Sequence, residues 1–127
     1  MQSYTQRTLA WLKSQDMRCG IAEKWCHYTK QRKDLFGFID IVAMDPGNQR
    51  LIGVQSTGPN GHASHMRKIL SEDHRDDALM WLLSGGSLWL VSWRQLKVKN
   101  KDGKYGKRKR WEPRVHQFSL SDFLPDK

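Results

Sequence analysis

The chain has 127 residues, which is enough for one compact domain with its own core and short for two. Six Trp and four Phe supply large side chains for burial, which excludes a chain that is disordered throughout, and a formal net charge of +9 favours a polyanionic partner, nucleic acid first. Two Cys are too few for a secreted disulfide framework, and no signal-peptide or membrane-spanning pattern is present, so we expect a cytoplasmic, reducing setting.

The first elements in the chain are a helix and a strand. Residues 4–15 place Leu9 and Leu12 at helical spacing without Pro or Gly, which predicts an amphipathic helix. Residues 17–25 alternate in the way that predicts a first strand. The polar and basic stretch 27–34 predicts a loop or an irregular edge.

A hairpin is predicted next, in the middle of the chain. Residues 36–44 are apolar except for Gly37 and Asp40, which is typical of a central strand that is covered on both faces. The Asp-Pro-Gly-Asn sequence at 45–48 predicts a tight turn, and residues 51–54 resume the β pattern.

The second half of the chain predicts helical structure followed by two strands. Residues 64–83 predict one long helix, or two helices broken near 72–73. Residues 87–93 alternate as a buried strand. A basic segment, 97–110, separates them from a last strand at 115–120, and we expect a basic β-hairpin at about 97–111. These elements predict a single α/β domain, with a central mixed sheet flanked by helices.

Asp40 is the most anomalous residue of the predicted core. A lone carboxylate in an apolar strand faces a heavy desolvation cost unless it has a metal or a cationic partner. Strand alternation places Asp40 and Gln55 on one face of the hairpin, and carboxylate and amide oxygens are ligands that Mg²⁺ accepts beside water and phosphate. A buried acid that pairs with Arg32 or Lys33 for structural reasons is the alternative.

Three pieces of this hairpin resemble a known family. The run Asp34-Leu-Phe-Gly-Phe-Ile-Asp40, the Asp-Pro-Gly turn and Gly53-Val-Gln-Ser-Thr57 are similar to the active-site hairpin of the PD-(D/E)XK nuclease superfamily, in the form found in small phage-encoded nucleases and Holliday-junction-resolvase-like proteins. The resemblance covers roughly residues 4–93. It implies a restriction-endonuclease-like core within one domain over residues 1–127.

The resemblance also implies roles for individual residues. Asp40 matches the aspartate that binds Mg²⁺ or Mn²⁺ in that superfamily. Gln55 stands where a second metal-binding acid is usual, and Thr57 stands where a lysine that helps to activate water is usual. Gln brings no negative charge and Thr no positive one, so catalysis depends on other residues.

Candidates for those other residues lie on both sides of the hairpin. Glu23 resembles the additional acid that junction resolvases carry before the hairpin, and Lys68 or Arg67 of the following helix could replace the missing lysine. Glu23 could equally be a solvated or salt-bridged strand residue, and Asp34 could merely stabilise a basic cluster.

The basic segment is the second candidate for function. Residues 94–114 contain ten Lys or Arg against two acids, which is nearly all of the excess charge. Basic residues with interleaved aromatics suit phosphate contacts and stacking on an unpaired base, whereas the alternative is a solubilising loop. The candidate nucleic-acid-binding residues here are Lys99, Lys101, Lys104, Tyr105, Lys107, Arg108, Lys109 and Arg110.

A zinc site is a weaker candidate. His62 and His65 are spaced as in zinc-binding pairs, and Cys26-His27 lies upstream, but a second paired signature is missing.

The sequence thus predicts a metal-dependent endonuclease that hydrolyses phosphodiester bonds in DNA, with branched DNA as a candidate substrate. DNA is favoured over RNA, no membrane partner is expected, and two-fold symmetric substrates would suit a homodimer. The alternatives are a nucleic-acid-binding protein that retains a nuclease fold without activity, and a regulator whose basic surface meets an acidic protein.

Overall fold

The structure, a computed structural model, describes residues 2–124; Met1 and residues 125–127 lie outside the described part. It contains three α-helices and seven strands. The helices are α1 (Tyr4–Ser14), α2 (His62–Leu70) and α3 (Arg75–Leu83), and the strands are β1 (Arg18–Ile21), β2 (Lys24–Cys26), β3 (Gln31–Lys33), β4 (Ile41–Asp45), β5 (Arg50–Thr57), β6 (Ser87–Lys99) and β7 (Tyr105–Gln117). No helix within residues 2–124 is long and apolar enough to cross a membrane.

Five strands form one mixed sheet in the order β1-β4-β5-β6-β7, and β2 and β3 pair in a separate two-stranded sheet. Strand β5 is parallel to β6, and the other neighbours in the large sheet are antiparallel. A parallel pair needs a crossover connection, and α2 and α3 supply it. The class predicted from the sequence, a small α/β domain around a central mixed sheet, is confirmed.

The two faces of the sheet are covered by different helices. Helix α1 inserts Leu12 into a cluster on one face, together with Trp89 and Trp93 of β6. On the other face, Ile69 of α2 and Ala78 of α3 belong to a second cluster with residues of β6. The alternation predicted for residues 87–93 is therefore confirmed, because successive side chains point to opposite layers.

Most of the predicted elements are confirmed. The N-terminal helix is present, and the Ser3 hydroxyl accepts a hydrogen bond from the Gln6 amide at its start. The β4–β5 hairpin is present with its turn at Pro46–Asn48. Between residues 64 and 83 the alternative with two helices is the one observed, since α2 ends at Leu70 and α3 begins at Arg75.

The predicted central strand 36–44 is wrong in its first half. Phe36 has φ +56° and Gly37 has φ +85°, so the chain makes a tight turn there and is closed by a bridge between Leu35 and Ile39. Strand β4 begins only at Ile41. Asp40 consequently lies at the entrance of β4, where the sheet ends, rather than in the middle of a strand.

Two further boundaries predicted from the sequence are wrong. The strand expected over 17–25 is divided into β1 and β2, which belong to different sheets, and the stretch 27–34 contains β3. The last strand, expected at 115–120, begins ten residues earlier, because the basic segment itself pairs as a hairpin. We call residues 97–110, which form the end of this β6–β7 hairpin, the basic arm.

The basic arm and two acidic residues lie at the same end of the large sheet. Strand β5 ends at Thr57, opposite Ser92, whereas β6 continues to Lys99, so the basic arm projects beyond this end. Strands β1 and β4 meet at the same end through the pair Ile21 and Ile41. The segments that contain Glu23 and Asp40 therefore also lie at this end.

Candidate metal and nucleic-acid site

Three carboxylates meet at this end of the sheet. Asp40 immediately precedes β4, Asp34 immediately follows β3, and Glu23 lies in the link between β1 and β2. One oxygen of each side chain lies within 4.8 Å of one oxygen of the other two. We call these three residues the acid cluster, and it is the only such group of three or more potential metal ligands found in residues 2–124.

Asp40 is buried and has no cationic partner. Its side chain is 6% exposed, and its Oδ2 accepts hydrogen bonds from Gln55 Nε2 at 2.7 Å and from the Ser56 amide at 2.9 Å. Within residues 2–124 no basic side chain forms an ion pair with it. The structural alternative of a pair with Arg32 or Lys33 is not what is observed, because Arg32 binds Glu23 instead, at 2.9 Å.

The acid cluster makes ionisation of Asp40 unfavourable. The pKa of Asp40 is raised to about 8, and burial is the largest cause. A hydrogen bond with Asp34 and the negative charges of Asp34 and Glu23 raise the pKa further, whereas the hydrogen bond from the Ser56 amide lowers it in part. A bound divalent cation would offset this penalty, since it would place a positive charge next to Asp40, which no basic side chain within residues 2–124 does.

Gln55 adds a neutral oxygen to the site. The residue is 3% exposed, and its Nε2 donates to Asp40 and, at 3.5 Å, lies near Asp34 Oδ2. Its Oε1 is buried without a hydrogen-bond partner among the described residues. A half-turn of the amide exchanges its oxygen and nitrogen, so Oε1 can face the acid cluster when a cation occupies it. The convergence of Asp40 and Gln55 predicted from the sequence is confirmed.

The residues present fit a hard divalent cation. Three carboxylates and one amide oxygen are all oxygen donors, which suits Mg²⁺ or Mn²⁺ rather than a thiolate-binding metal. The buried Gln55 oxygen without a partner is the independent sign that the site accepts another group, because buried polar atoms are normally hydrogen-bonded.

Helix α2 brings one lysine to the site. Lys68 Nζ lies 3.7 Å from Asp34 Oδ2, at the rim of the acid cluster. Arg67 is exposed and makes no ion pair within residues 2–124. Thr57 is buried at the end of β5, close to Gly61 at the start of α2, and forms no hydrogen bond with the acids. Of the candidates for a cationic role, the structure brings only Lys68 to the site.

Asp34 is the site residue that the sequence interpretation missed as a ligand. It stood at the end of a polar stretch expected to be a loop, and an effect on neighbouring basic residues was the role considered for it. The available signal was its position at the start of the run Asp34 to Asp40. Because the turn at Phe36 and Gly37 folds that run back on itself, its first and last residues meet.

The histidines do not form a metal site in the structure. The Nδ1 of His62 lies 2.6 Å from the Ser92 hydroxyl, and the Nδ1 of His65 lies 2.8 Å from the Gly61 carbonyl. Burial lowers the pKa of His62, and the charges of Arg114 and His116 lower it further, which favours its neutral form. Both residues are accounted for by contacts at the start of α2.

The basic arm is a solvent-exposed hairpin. Its strands pair Leu96 with Arg110 and Lys97 with Lys109, and a register shift precedes the pair of Lys99 with Tyr105 at the tip. The Lys99 ammonium lies 5.5 Å from the centre of the Tyr105 ring. All eight candidate nucleic-acid-binding residues of this arm are exposed: Lys99, Lys101, Lys104, Tyr105, Lys107, Arg108, Lys109 and Arg110.

The chain was compared with protein-family models, with curated proteins and with solved structures, and none of the three comparisons found a match.

Proposed function

We propose that this protein is a metal-dependent endonuclease that hydrolyses phosphodiester bonds in DNA. The observation that carries the proposal is the acid cluster, in which three carboxylates converge. Within residues 2–124, one of them is buried without a cationic partner, and the neighbouring Gln55 Oε1 has no hydrogen bond. Arg32 and Lys68 lie beside Glu23 and Asp34, but Asp40 is left without such a partner within residues 2–124, and a divalent cation would provide one.

Glu23, Asp34 and Asp40 would hold Mg²⁺ or Mn²⁺, with Gln55 as the neutral ligand. A cation bound there lowers the pKa of coordinated water and neutralises charge on a phosphate group. Asp34 supplies the negative charge that Gln55 lacks, so the departure from the family pattern at position 55 is compensated by an acid from another segment. In the structure the Ser56 amide and Gln55 Nε2 both donate to Asp40 Oδ2. After the half-turn that would make Gln55 a ligand, the Ser56 amide alone would hold Asp40 Oδ2 in position.

Lys68 would take the part of the cationic residue that Thr57 cannot take. Its ammonium lies beside Asp34 at the rim of the site, where it can orient an attacking water or contact the phosphate. Arg67, on the solvent side of the same helix, would contact the DNA backbone instead.

The order of the elements supports a restriction-endonuclease-like core and membership of the PD-(D/E)XK superfamily. A helix, three antiparallel strands, a helical crossover and a parallel strand follow one another as the resemblance implies, with β2 and β3 inserted between the first two strands. The site lies at the start of β4 and the end of β5, and these are the two strands of the motif hairpin.

The DNA partner is supported by charge. The basic arm projects from the end of the sheet that carries the acid cluster, and its exposed Lys and Arg residues offer contacts to phosphates on either side of a cleaved bond. Tyr105 at its tip can stack on a base that is not paired. This arrangement suits branched DNA, and a homodimer would suit a two-fold symmetric junction.

Cleavage of labelled DNA in Mg²⁺ or Mn²⁺ by wild type, Asp40→Asn and Asp45→Asn tests the proposal. Asp45 is the matched control, because it is buried to the same 6% exposure but lies at the opposite end of β4 and binds Arg50 and Asn48. We expect cleavage by wild type and Asp45→Asn and none by Asp40→Asn. Cleavage by Asp40→Asn at the wild-type rate contradicts the proposal.

The same experiment separates the alternatives. Salt-sensitive DNA binding without cleavage by wild type would identify a nucleic-acid-binding protein that retains a nuclease fold without activity. Neither binding nor cleavage would leave an acidic protein as the partner of the basic surface.

A further inference from the structure

The β2–β3 hairpin, residues 24–33, is attached to the acid cluster at both of its ends. Glu23 immediately precedes β2, and Asp34 immediately follows β3. Two of the three acids are therefore the anchor points of this hairpin, which we call the anchored hairpin. Whatever binds along it lies next to the metal site.

The composition of the anchored hairpin favours a polyanion. It contains four Lys or Arg and no acid, and all of its residues except Cys26 are exposed. Lys24 and Lys33 are directly opposite each other across the two strands. Like charges in such a pair are about 4.5–5.5 Å apart at Cβ and repel each other, and a bound anion would offset that repulsion.

Two aromatic side chains of this hairpin face solvent. Trp25 is 48% exposed and Tyr28 is 99% exposed. Large rings at such exposure contribute little to the core, and Tyr28 lies at the turn between β2 and β3. The rings have planar faces that are free for stacking.

Arg32 lies next to both Trp25 and the acid cluster. Trp25 and Arg32 are cross-strand partners, so their side chains leave the hairpin on the same face. The Arg32 guanidinium reaches Glu23, with Nη1 2.9 Å from Oε1. One face of the hairpin thus presents, in order, a metal-binding carboxylate, a guanidinium and an indole ring.

We propose that the anchored hairpin binds unpaired nucleotides of the DNA strand beside the phosphate that the acid cluster receives. Trp25 and Tyr28 stack on the bases, and Arg32, on the same face as Trp25, contacts a phosphate. Lys24 and Lys33 point to the opposite face and add to the positive potential around the hairpin. Bases in a duplex are already stacked on their neighbours and present only their edges, so this hairpin selects single-stranded or branched DNA over duplex. The inference rests on the proposed function and specifies the substrate of the same site.

The position of the basic arm agrees with this substrate. In the strand order of the sheet, β1 leads into the anchored hairpin at one edge, and β6 and β7 form the basic arm at the other edge. Asp40, which immediately precedes β4, lies between them in this order. A branched molecule offers an unpaired strand to the hairpin and duplex phosphates to the arm at the same time.

Fluorescence anisotropy with a short labelled oligothymidylate, and with a duplex of matched length, tests the proposal. Ca²⁺ replaces Mg²⁺, so that binding is measured without strand cleavage. The variants are Trp25→Ala and Tyr28→Ala, with Leu83→Ala as the control for loss of an exposed apolar side chain on α3. Because both rings are solvent-exposed, we expect these variants to fold, which thermal melting verifies.

We expect Trp25→Ala to weaken binding of the single strand roughly 5- to 150-fold, the range that corresponds to the loss of one base–aromatic stack. Trp25→Phe should retain most of the affinity. Binding of the duplex should change less than twofold in every variant. Equal losses for single strand and duplex, or no loss for either aromatic variant, would overturn the proposal.

Failure of this inference is distinguishable from failure of the proposed function. Binding of the single strand that depends on Trp25, with no cleavage in Mg²⁺, would support the anchored hairpin and remove the nuclease activity. Cleavage that depends on Asp40 but not on Trp25 or Tyr28 would support the nuclease activity and remove the anchored hairpin from the DNA-binding surface.

Discussion

Replacing Asp40 with Asn should stabilise the metal-free protein at neutral pH. The side chain is buried, and its ionisation is opposed by burial and by two neighbouring carboxylates. Asn has nearly the same shape, and its carbonyl oxygen can accept the hydrogen bonds from Gln55 Nε2 and the Ser56 amide that Asp40 Oδ2 accepts now. The substitution therefore removes a buried group that can ionise, and it keeps the contacts.

The magnitude follows from the pKa of Asp40, which is about 8 in the folded protein and 3.8 as its ordinary value. Between these values the folded protein retains a proton that the unfolded chain releases, so the stability of the wild type decreases as the pH rises. Each pKa unit corresponds to about 1.4 kcal/mol, which gives a penalty on the order of 4 kcal/mol at pH 7. Asn is free of this penalty. The free energy of unfolding of Asp40→Asn should therefore exceed that of the wild type by an amount that grows from near zero at about pH 4 to a maximum near pH 8.

Thermal melting in EDTA at several pH values measures this difference. For a domain of this size, 1 kcal/mol corresponds to about 3–5 °C in Tm. Asp45→Asn is the control, because its expected change in stability has the opposite sign. Hydrogen bonds from Asn48 hold the pKa of Asp45 below its ordinary value, and a hydrogen bond from Arg50 and the charge of Arg50 contribute in the same direction. Its stabilising contribution is present above pH 4 and is lost as the pH falls through the folded pKa, so Asp45→Asn should lower Tm at neutral pH.

A lower Tm for Asp40→Asn than for wild type at pH 7 would refute the reasoning, because it would mean that the charged carboxylate is favourable in the metal-free fold. An advantage that does not change between pH 4.5 and pH 8 would refute the assignment to ionisation.

The remaining predictions concern the metal, the site lysine, the basic arm and the core. Mn²⁺ at about a hundred times its Kd should stabilise the wild type by about 2.7 kcal/mol and leave the Tm of Asp40→Asn unchanged. Lys68→Ala should lower the single-turnover cleavage rate about 100-fold with little change in DNA affinity, whereas Arg67→Ala should weaken binding only. Replacing all four residues 107–110 with Gln should reduce the slope of log K against log salt by about three to four for duplex DNA, and an unchanged slope would remove the arm from the interface. Gly53→Ala should cost about 1–3 kcal/mol in urea unfolding, because a Cβ there would lie 2.8 Å from Ile39 Cδ1, and unchanged stability would contradict the close packing of β5.

The parts of the fold that follow from local patterns could be predicted from the sequence. Alternation in residues 87–93, the turn at 45–48 and helical spacing at the N-terminus each depend on neighbours in the chain, and each is confirmed. The turn at Phe36 was not predictable in this way, because a non-glycine residue at φ +56° is unusual and its apolar neighbours favour a strand.

The basic arm was predicted as a hairpin, but its continuity with β6 and β7 was missed for a related reason. A run of Lys and Arg has no apolar alternation and low β propensity, yet it pairs in register because β6 and β7 are already aligned by the buried residues that precede and follow it.

The site was predictable in part. The pairing of Asp40 with Gln55 follows from strand alternation and is confirmed, since both residues belong to one hairpin. Asp34 and the anchored hairpin could not be predicted, because their approach to Asp40 depends on the turn at Phe36 and Gly37 and on the separate pairing of β2 with β3. Lys68 was one of two candidates, and helix geometry distinguished it from Arg67.

The proposed activity requires a divalent cation bound among Glu23, Asp34 and Asp40. A crystal structure of the wild type in Mn²⁺, with anomalous data, shows directly whether one binds there. We expect an anomalous peak about 2.0–2.3 Å from oxygens of Asp40 and Asp34, with Glu23 or the Gln55 carbonyl oxygen as a further ligand. Anomalous density at the histidines of α2, or none at the acid cluster, would contradict it.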